Sequence, residues 1–209
     1  MKVLGISCSL RKDGNSEILV REALASAGRA GAETEFLSLI GKTIRPCEGC
    51  YACLPKGVCK ADDDMQDIFP KLLEADGIII ATPVYLWSIS GLAKVFIDRT
   101  FSLRHPHLRL ANKVGGIIVV ASRTGLMSAA NILNLYFSNN HMISADIVTG
   151  LAREKGAIEQ DLFAMKEAAV MGEQMVSLIR TGHKFPETYD CDIHTYVDRT
   201  FGVKSPPFG

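Results

Sequence analysis

No sign of charge prevails in this chain: its 209 residues carry 23 Lys and Arg against 23 Asp and Glu. Without a broad basic field there is no electrostatic invitation to nucleic acid or to anionic lipid, so partners have to be argued from local sites. Long apolar runs are missing too. The longest, residues 77–81 and 115–121, fall far below the roughly 20 residues that span a bilayer. The opening MKVLGISCS turns polar too early for a signal peptide. The expectation is a cytoplasmic protein with no nucleic-acid and no membrane partner. Nor is the chain poor in apolar residues: at 47% it can fill a two-sided core, which disordered chains cannot. Its length suits one domain with an appended arm.

What is present is alternation. Residues 2–8, 34–39, 77–82, 114–121 and 142–149 read as strands, and 16–27, 62–74, 90–100, 128–137 and 158–180 as helices. The Ile78, Ile79, Ile80 run suits a strand covered on both faces. Five strand-helix units imply an α/β fold with a doubly wound parallel sheet, whose ligands bind at the carboxyl ends of the strands. The loops after strands one, three and four are therefore the candidates. The reading gives a domain over 1–182 with an inserted cysteine-rich loop at 45–62, and an irregular C-terminal arm over 183–209. The short match of FIDRTF at 96–101 with YVDRTF at 196–201 has no fixed period and reads as chance.

The first loop, SCSLRKDGNS at 7–16, follows a strand and precedes a helix. Hydroxyls of Ser7, Ser9 and Ser16, the Asn15 amide, turn N–H groups and the helix N-terminus can together satisfy a phosphate. Arg11 adds a charge-assisted contact. The loop lacks the GxGxxG spacing and the P-loop Lys-Ser/Thr pair, so a single phosphomonoester is favoured over a pyrophosphate. The plainer alternative is a polar loop capped by Asn15 or Ser16.

The pattern S-x-S-x-R-K-x-G-N-S resembles the FMN phosphate loop of the NAD(P)H-dependent FMN reductase group in the flavodoxin-like superfamily. TPVYLWSISGLAKVFIDR at 82–99 is a second match. The resemblance implies a flavodoxin-like five-stranded sheet of order 2-1-3-4-5. It also implies that Pro83, Val84, Tyr85, Leu86 and Trp87 pack on the isoalloxazine ring; aromatics that merely cover a sheet edge are the alternative. After strand four, Ser122, Arg123, Thr124 and Gly125 fall where the family contacts the polar edge of the ring. A cation or N–H there stabilises reduced flavin, although Arg123 reads equally as a surface residue.

Cys47, Cys50, Cys53 and Cys59 make a C-x2-C-x2-C-x5-C cluster. In a reducing compartment such a cluster points to metal or redox chemistry. Three readings stay open: an iron-sulfur cube, as closely spaced thiolates hold in ferredoxins; tetrahedral zinc, whose sites usually pair two separated knuckles; and free thiols or a redox-active pair. Together with the flavin loops the motif resembles the iron-sulfur flavoproteins over about residues 1–150.

That resemblance implies FMN and one [4Fe-4S] cluster, with electrons passing between them and a small-molecule or protein acceptor. It further implies NAD(P)H or a ferredoxin-like donor, and a homodimer or homotetramer in which a cluster in one subunit approaches a flavin in another. A cluster-free NAD(P)H-dependent FMN or quinone reductase is the runner-up. A flavodoxin-like electron carrier is third, and the balanced charge counts against it.

Cys8 and Cys191 stand outside the set, Cys8 as a small buried residue. Asp62, Asp63 and Asp64 read as helix caps, and His105 and His107 as members of a solvated loop. No general acid or base is assigned.

Overall fold

The isoleucine run that opens the third strand settles the architecture. In the computed structural model, Ile78 and Ile80 face one hydrophobic core while Ile79 and Ala81 face another, as the two-residue period of a strand demands. The structure describes residues 1–186; the remainder of the expected arm, with Cys191 and the 196–201 motif, lies outside the described residues.

The strands are β1 (Lys2–Ser7), β2 (Glu33–Ser38), β3 (Gly77–Tyr85), β4 (Ser88–Ile89), β5 (Val114–Ala121) and β6 (Ile143–Leu151). The helices are α1 (Asn15–Arg29), α2 (Met65–Glu74), α3 (Gly91–Arg99), α4 (Leu126–Asn139) and α5 (Leu162–Thr181). The five long strands pair in parallel in the order β2-β1-β3-β5-β6. Counted without the two-residue β4, this is the expected order 2-1-3-4-5, and it puts β2 and β6 at the edges. Residues of α2, α3 and α4 fill the core on one face, and residues of α1 and α5 the core on the other.

Three departures from the sequence reading have a local reason. The loop expected at 83–88 is a hairpin: β3 continues to Tyr85 and turns back through Leu86 and Trp87 into β4. Both turn residues have positive φ, 45° and 63°, as the tightest hairpin turns require. Neither is the Gly or Asn that normally announces such a turn. Residues 157–160 form a separate 3-10 turn, and Asp161 caps α5 by accepting a bond from the Ala164 N–H at 3.0 Å. At α1 the N-cap is Gly14, so neither Asn15 nor Ser16 serves as the cap. Among the described residues no helix is long and apolar enough to cross a membrane.

Candidate functional site: a flavin cleft and a cysteine pocket

The carboxyl ends of β1, β3, β5 and β6 open onto a cleft of about 240 Å³ lined by Ser9, Arg11, Asn15, Ser16, Pro83, Val84, Tyr85, Val120, Ser122, Ala152 and Arg153. Its floor is the N-terminus of α1. Whereas Ser90 caps α3 through the Ala93 N–H and Asp161 caps α5, no side chain caps α1. The carboxylate in its first turn, Glu17, is engaged elsewhere: it accepts from the Asp13 N–H at 3.1 Å and from the Arg21 guanidinium at 2.7 Å. The first N–H groups of α1 are thus left for an anion, at the positive end of the helix dipole.

The loop before α1 is tightly wound, with the Arg11 N–H donating to Ser9 Oγ at 3.1 Å. Gly14 is packed so closely that a Cβ there would sit 2.7 Å from the Arg11 carbonyl. An uncapped helix end, serine hydroxyls and an arginine fit a phosphomonoester, and the apolar walls of Pro83, Val84 and Tyr85 fit a flat ring beyond it.

Eight expected residues line this cleft: Ser9, Arg11, Asn15, Ser16, Pro83, Val84, Tyr85 and Ser122. Others are placed differently. Ser7 is fully buried in β1 and its hydroxyl has no hydrogen-bond partner among the described residues. Asn15 is tied to the loop after β6, donating to the Glu154 carbonyl at 2.9 Å and accepting from the Ile158 N–H at 3.4 Å. Arg11 likewise donates to the Arg153 carbonyl at 3.1 Å.

Leu86 and Trp87 stand at the hairpin tip, 86% and 67% exposed, outside the lining of the cleft. Arg123 and Thr124 are also exposed and outside it. Gly125, with φ of 91°, lies under the hairpin, where a Cβ would come within 2.9 Å of Trp87 Cα. Sequence reasoning missed Val120, Ala152 and Arg153. Arg153 follows the fifth long strand, a position that strand order alone marked as a carboxyl end.

The second site is the cysteine pocket. Cys47, Cys50, Cys53 and Cys59 all line one cavity of about 40 Å³, together with residues that include Arg45, Tyr51, Arg99 and Phe101. All four are free thiols, with Cys53 buried and Cys47 and Cys50 exposed. Burial pushes the Cys53 thiol up, and the three neighbouring cysteines add to the rise. Cys8, buried outside the set, is pushed up to about 12 by desolvation, which leaves it an inert core residue. Among the described residues no three His, Cys, Asp or Glu side chains gather closely enough to hold a single metal ion. The four cysteines nonetheless line a shared cavity, together with Glu48. Four thiolates, with no competing carboxylate or imidazole ligand required, are the donor set of a [4Fe-4S] cube.

Side chains brace this loop. Arg99, at the end of α3, is buried to 1% side-chain exposure against Asp63, itself 1% exposed. The pair is bidentate, with Arg99 Nη2 donating to Asp63 Oδ1 at 3.0 Å and Nη1 to Oδ2. Arg99 also donates to the Arg45 carbonyl at 2.7 Å and to Cys59 Sγ at 3.5 Å. Gln66 Nε2 donates to the Cys59 and Ala61 carbonyls at 3.0 and 2.7 Å, and Arg109 donates to the Gly57 carbonyl.

Two local readings change accordingly. Asp63 does accept from the Met65 N–H at 3.1 Å as a cap would, but its main partner is Arg99. Asp64 turns back to the Thr43 N–H at 2.6 Å and to Lys42 at 3.1 Å. Burial alone would raise the Asp63 carboxyl, yet the guanidinium and the Arg45 and Met65 N–H groups outweigh it and hold the carboxyl below its usual range. His105 is packed edge-on against Phe101, with centroids 4.9 Å apart, and so is no solvated loop residue.

Comparison with known proteins bears on both sites. The family model for NADPH-dependent FMN reductase matches residues 1–157. An iron-sulfur flavoprotein of Methanocaldococcus jannaschii is 37% identical over 190 residues, covering 86% of this chain and 98% of its own. One from Archaeoglobus fulgidus is 30% identical over 196 residues, covering 92% and 87%. Among solved structures, RosB with a bound riboflavin-phosphate intermediate superposes with a TM-score of 0.77 at 19% identity, covering 100% of this chain and 90% of RosB. An archaeal flavodoxin superposes with a TM-score of 0.59 at 13% identity, covering 86% and 99%. At those identities the structures testify to the fold.

Proposed function

Since this chain belongs to the NADPH-dependent FMN reductase family, among its iron-sulfur flavoproteins, and is thereby an FMN-dependent oxidoreductase, we propose that it carries a [4Fe-4S] cluster on Cys47, Cys50, Cys53 and Cys59. Electrons would pass between that cluster, FMN and a small-molecule or protein acceptor. The observation that carries the reading is the joint lining of one cavity by all four cysteines, in a chain whose other site is an uncapped helix end beside an apolar cleft.

Bound in the cleft, FMN supplies both two-electron and one-electron chemistry. The chain's residues position it. The α1 N-terminus with Ser9, Ser16 and Arg11 holds the phosphate, and Pro83, Val84 and Tyr85 exclude water from one side of the ring. Ser122 stands at the polar edge. Asn15 fixes the far wall by its bonds to the Glu154 carbonyl and the Ile158 N–H. Tyr85 is 43% exposed, which leaves an approach to the ring for a donor such as NAD(P)H. A ferredoxin-like donor would meet the exposed Cys47 and Cys50 side of the pocket. Four free thiols suit the cytoplasm, where reductants keep them so. A homodimer or homotetramer would place the pocket of one subunit near the cleft of another.

Anaerobic reconstitution followed by iron, sulfide and flavin analysis tests the proposal. The expected content is about four irons and one FMN per chain, with Cys50→Ala losing iron and keeping flavin. FMN without iron would replace this reading by a cluster-free NAD(P)H-dependent reductase.

A further inference from the structure

Burying an arginine is expensive unless every charge and donor on it is met, and Arg99 meets that demand except at one atom. Nη1 and Nη2 are occupied by Asp63, the Arg45 carbonyl and Cys59 Sγ. Nε is buried and has no hydrogen-bond partner among the described residues. A buried donor left unmade costs about 1–3 kcal/mol. The residue that carries it lines the cysteine cavity.

The bond to Cys59 is incomplete in the same sense. At 3.5 Å it ends on a free thiol, a weak acceptor, whereas a thiolate or sulfide would make it charge-assisted. Asp63 accounts for the charge of Arg99 but not for Nε or for the Nη2 bond to Cys59 Sγ.

We infer that Arg99 is a positioning residue whose guanidinium donates hydrogen bonds to sulfur of the cluster at Cys59 and so raises the cluster's reduction potential. This rests on the cluster reading proposed above. Reduction adds one electron and no proton to the iron-sulfur unit, so its sulfurs become more negative and bind donors more strongly. The Arg99 and Asp63 charges cancel, and the effect therefore runs through donated hydrogen bonds rather than net charge. Asp63 fixes the fork that aims them.

Arg99→Lys keeps a cation for Asp63 and removes the fork. In the anaerobically reconstituted full chain, a titration followed by electron paramagnetic resonance should show the reduction equilibrium shifted about tenfold toward the oxidised cluster. For one electron that is a fall of about 59 mV, read on the chains that hold iron. An unchanged potential overturns the inference.

A second measurement does not depend on how that variant folds. Protein labelled with 15N-arginine, in an Arg45→Lys background because Arg45 also lines the cavity, should show 15N hyperfine coupling to the reduced cluster; absence of coupling overturns the inference as well. If the unsubstituted chain takes up no iron at all, the cluster reading fails and this inference with it. If iron is present but neither potential nor coupling responds to Arg99, the inference alone fails.

Discussion

The flavin cleft and the cysteine pocket both grow from loops at the carboxyl ends of strands, but they are held in opposite ways. The cleft stands on β1, β3, β5 and β6, whose parallel ladders fix the starting point of every loop that lines it. The pocket hangs from β2, an edge strand. Its 45–62 loop is fixed by side chains reaching in from elsewhere: Arg99 from α3, Gln66 from α2, and Arg109. A sheet-borne site spreads its support over many backbone bonds. A side-chain-borne site concentrates it in a few, so single substitutions should unseat the pocket while sparing the cleft.

Asp63→Ala tests this with the largest effect. It leaves Arg99 buried without its partner, and breaking a buried pair from one side costs about 3–5 kcal/mol. Urea unfolding should show that loss, and iron should be lost while FMN titrates as in the parent. Loss of both cofactors together would break the contrast.

The same pair predicts a pH dependence. The folded carboxyl of Asp63 is held low, so its stabilising contribution is complete above its unfolded value of about 3.9 and is lost as pH falls through the lower folded value. The stability difference between the parent chain and Asp63→Ala should therefore be flat from pH 7 to 5 and shrink below about pH 4. A gap that widened on acidification would mean that the carboxyl is protonated in the fold at neutral pH.

On the cleft side, Gly14→Ala drives a Cβ against the Arg11 carbonyl. Overpacking of this kind costs about 1–3 kcal/mol, which weakens FMN by roughly 5- to 150-fold if the loop opens to relieve it. Flavin fluorescence quenching gives the affinity, and iron content should hold. Unaltered FMN affinity would show that the phosphate is seated away from this turn.

The same division explains what was legible in the sequence. Ladder-borne features announce themselves through local pattern: the isoleucine run of β3, the apolar β5, and the serines, arginine and glycine between β1 and α1. The cysteine spacing named a ligand set without its support. Arg99 and Asp63 lie 36 positions apart, and nothing local in FIDRTF or ADDD joins them; only the packing of α3 on the loop does. Arg153 follows a carboxyl end that strand order marks, but its place beside the phosphate loop is fixed across the sheet, where its carbonyl accepts from Arg11. Ser7 was misplaced by a step of strand geometry: the last residue of β1 points into the fold, and the cradle begins after it. The hairpin at Leu86 and Trp87 stayed hidden because it uses residues that rarely adopt positive φ.

That hairpin carries the smallest expected effect. Leu86 holds φ at 45° while 86% exposed, so it bears the left-handed strain of about 1–2 kcal/mol with little packing in return. Leu86→Gly removes the strain but adds freedom to the unfolded chain, worth roughly 0.4–1 kcal/mol in the other direction. The net expectation is a gain of about 0.5–1 kcal/mol in unfolding free energy, with FMN affinity unchanged because the side chain stands outside the cleft. If Leu86→Gly instead weakens FMN tenfold, the strained turn is holding Tyr85 and Val84 in place against the ring, and the cleft depends on a single loop conformation as much as the pocket depends on Arg99.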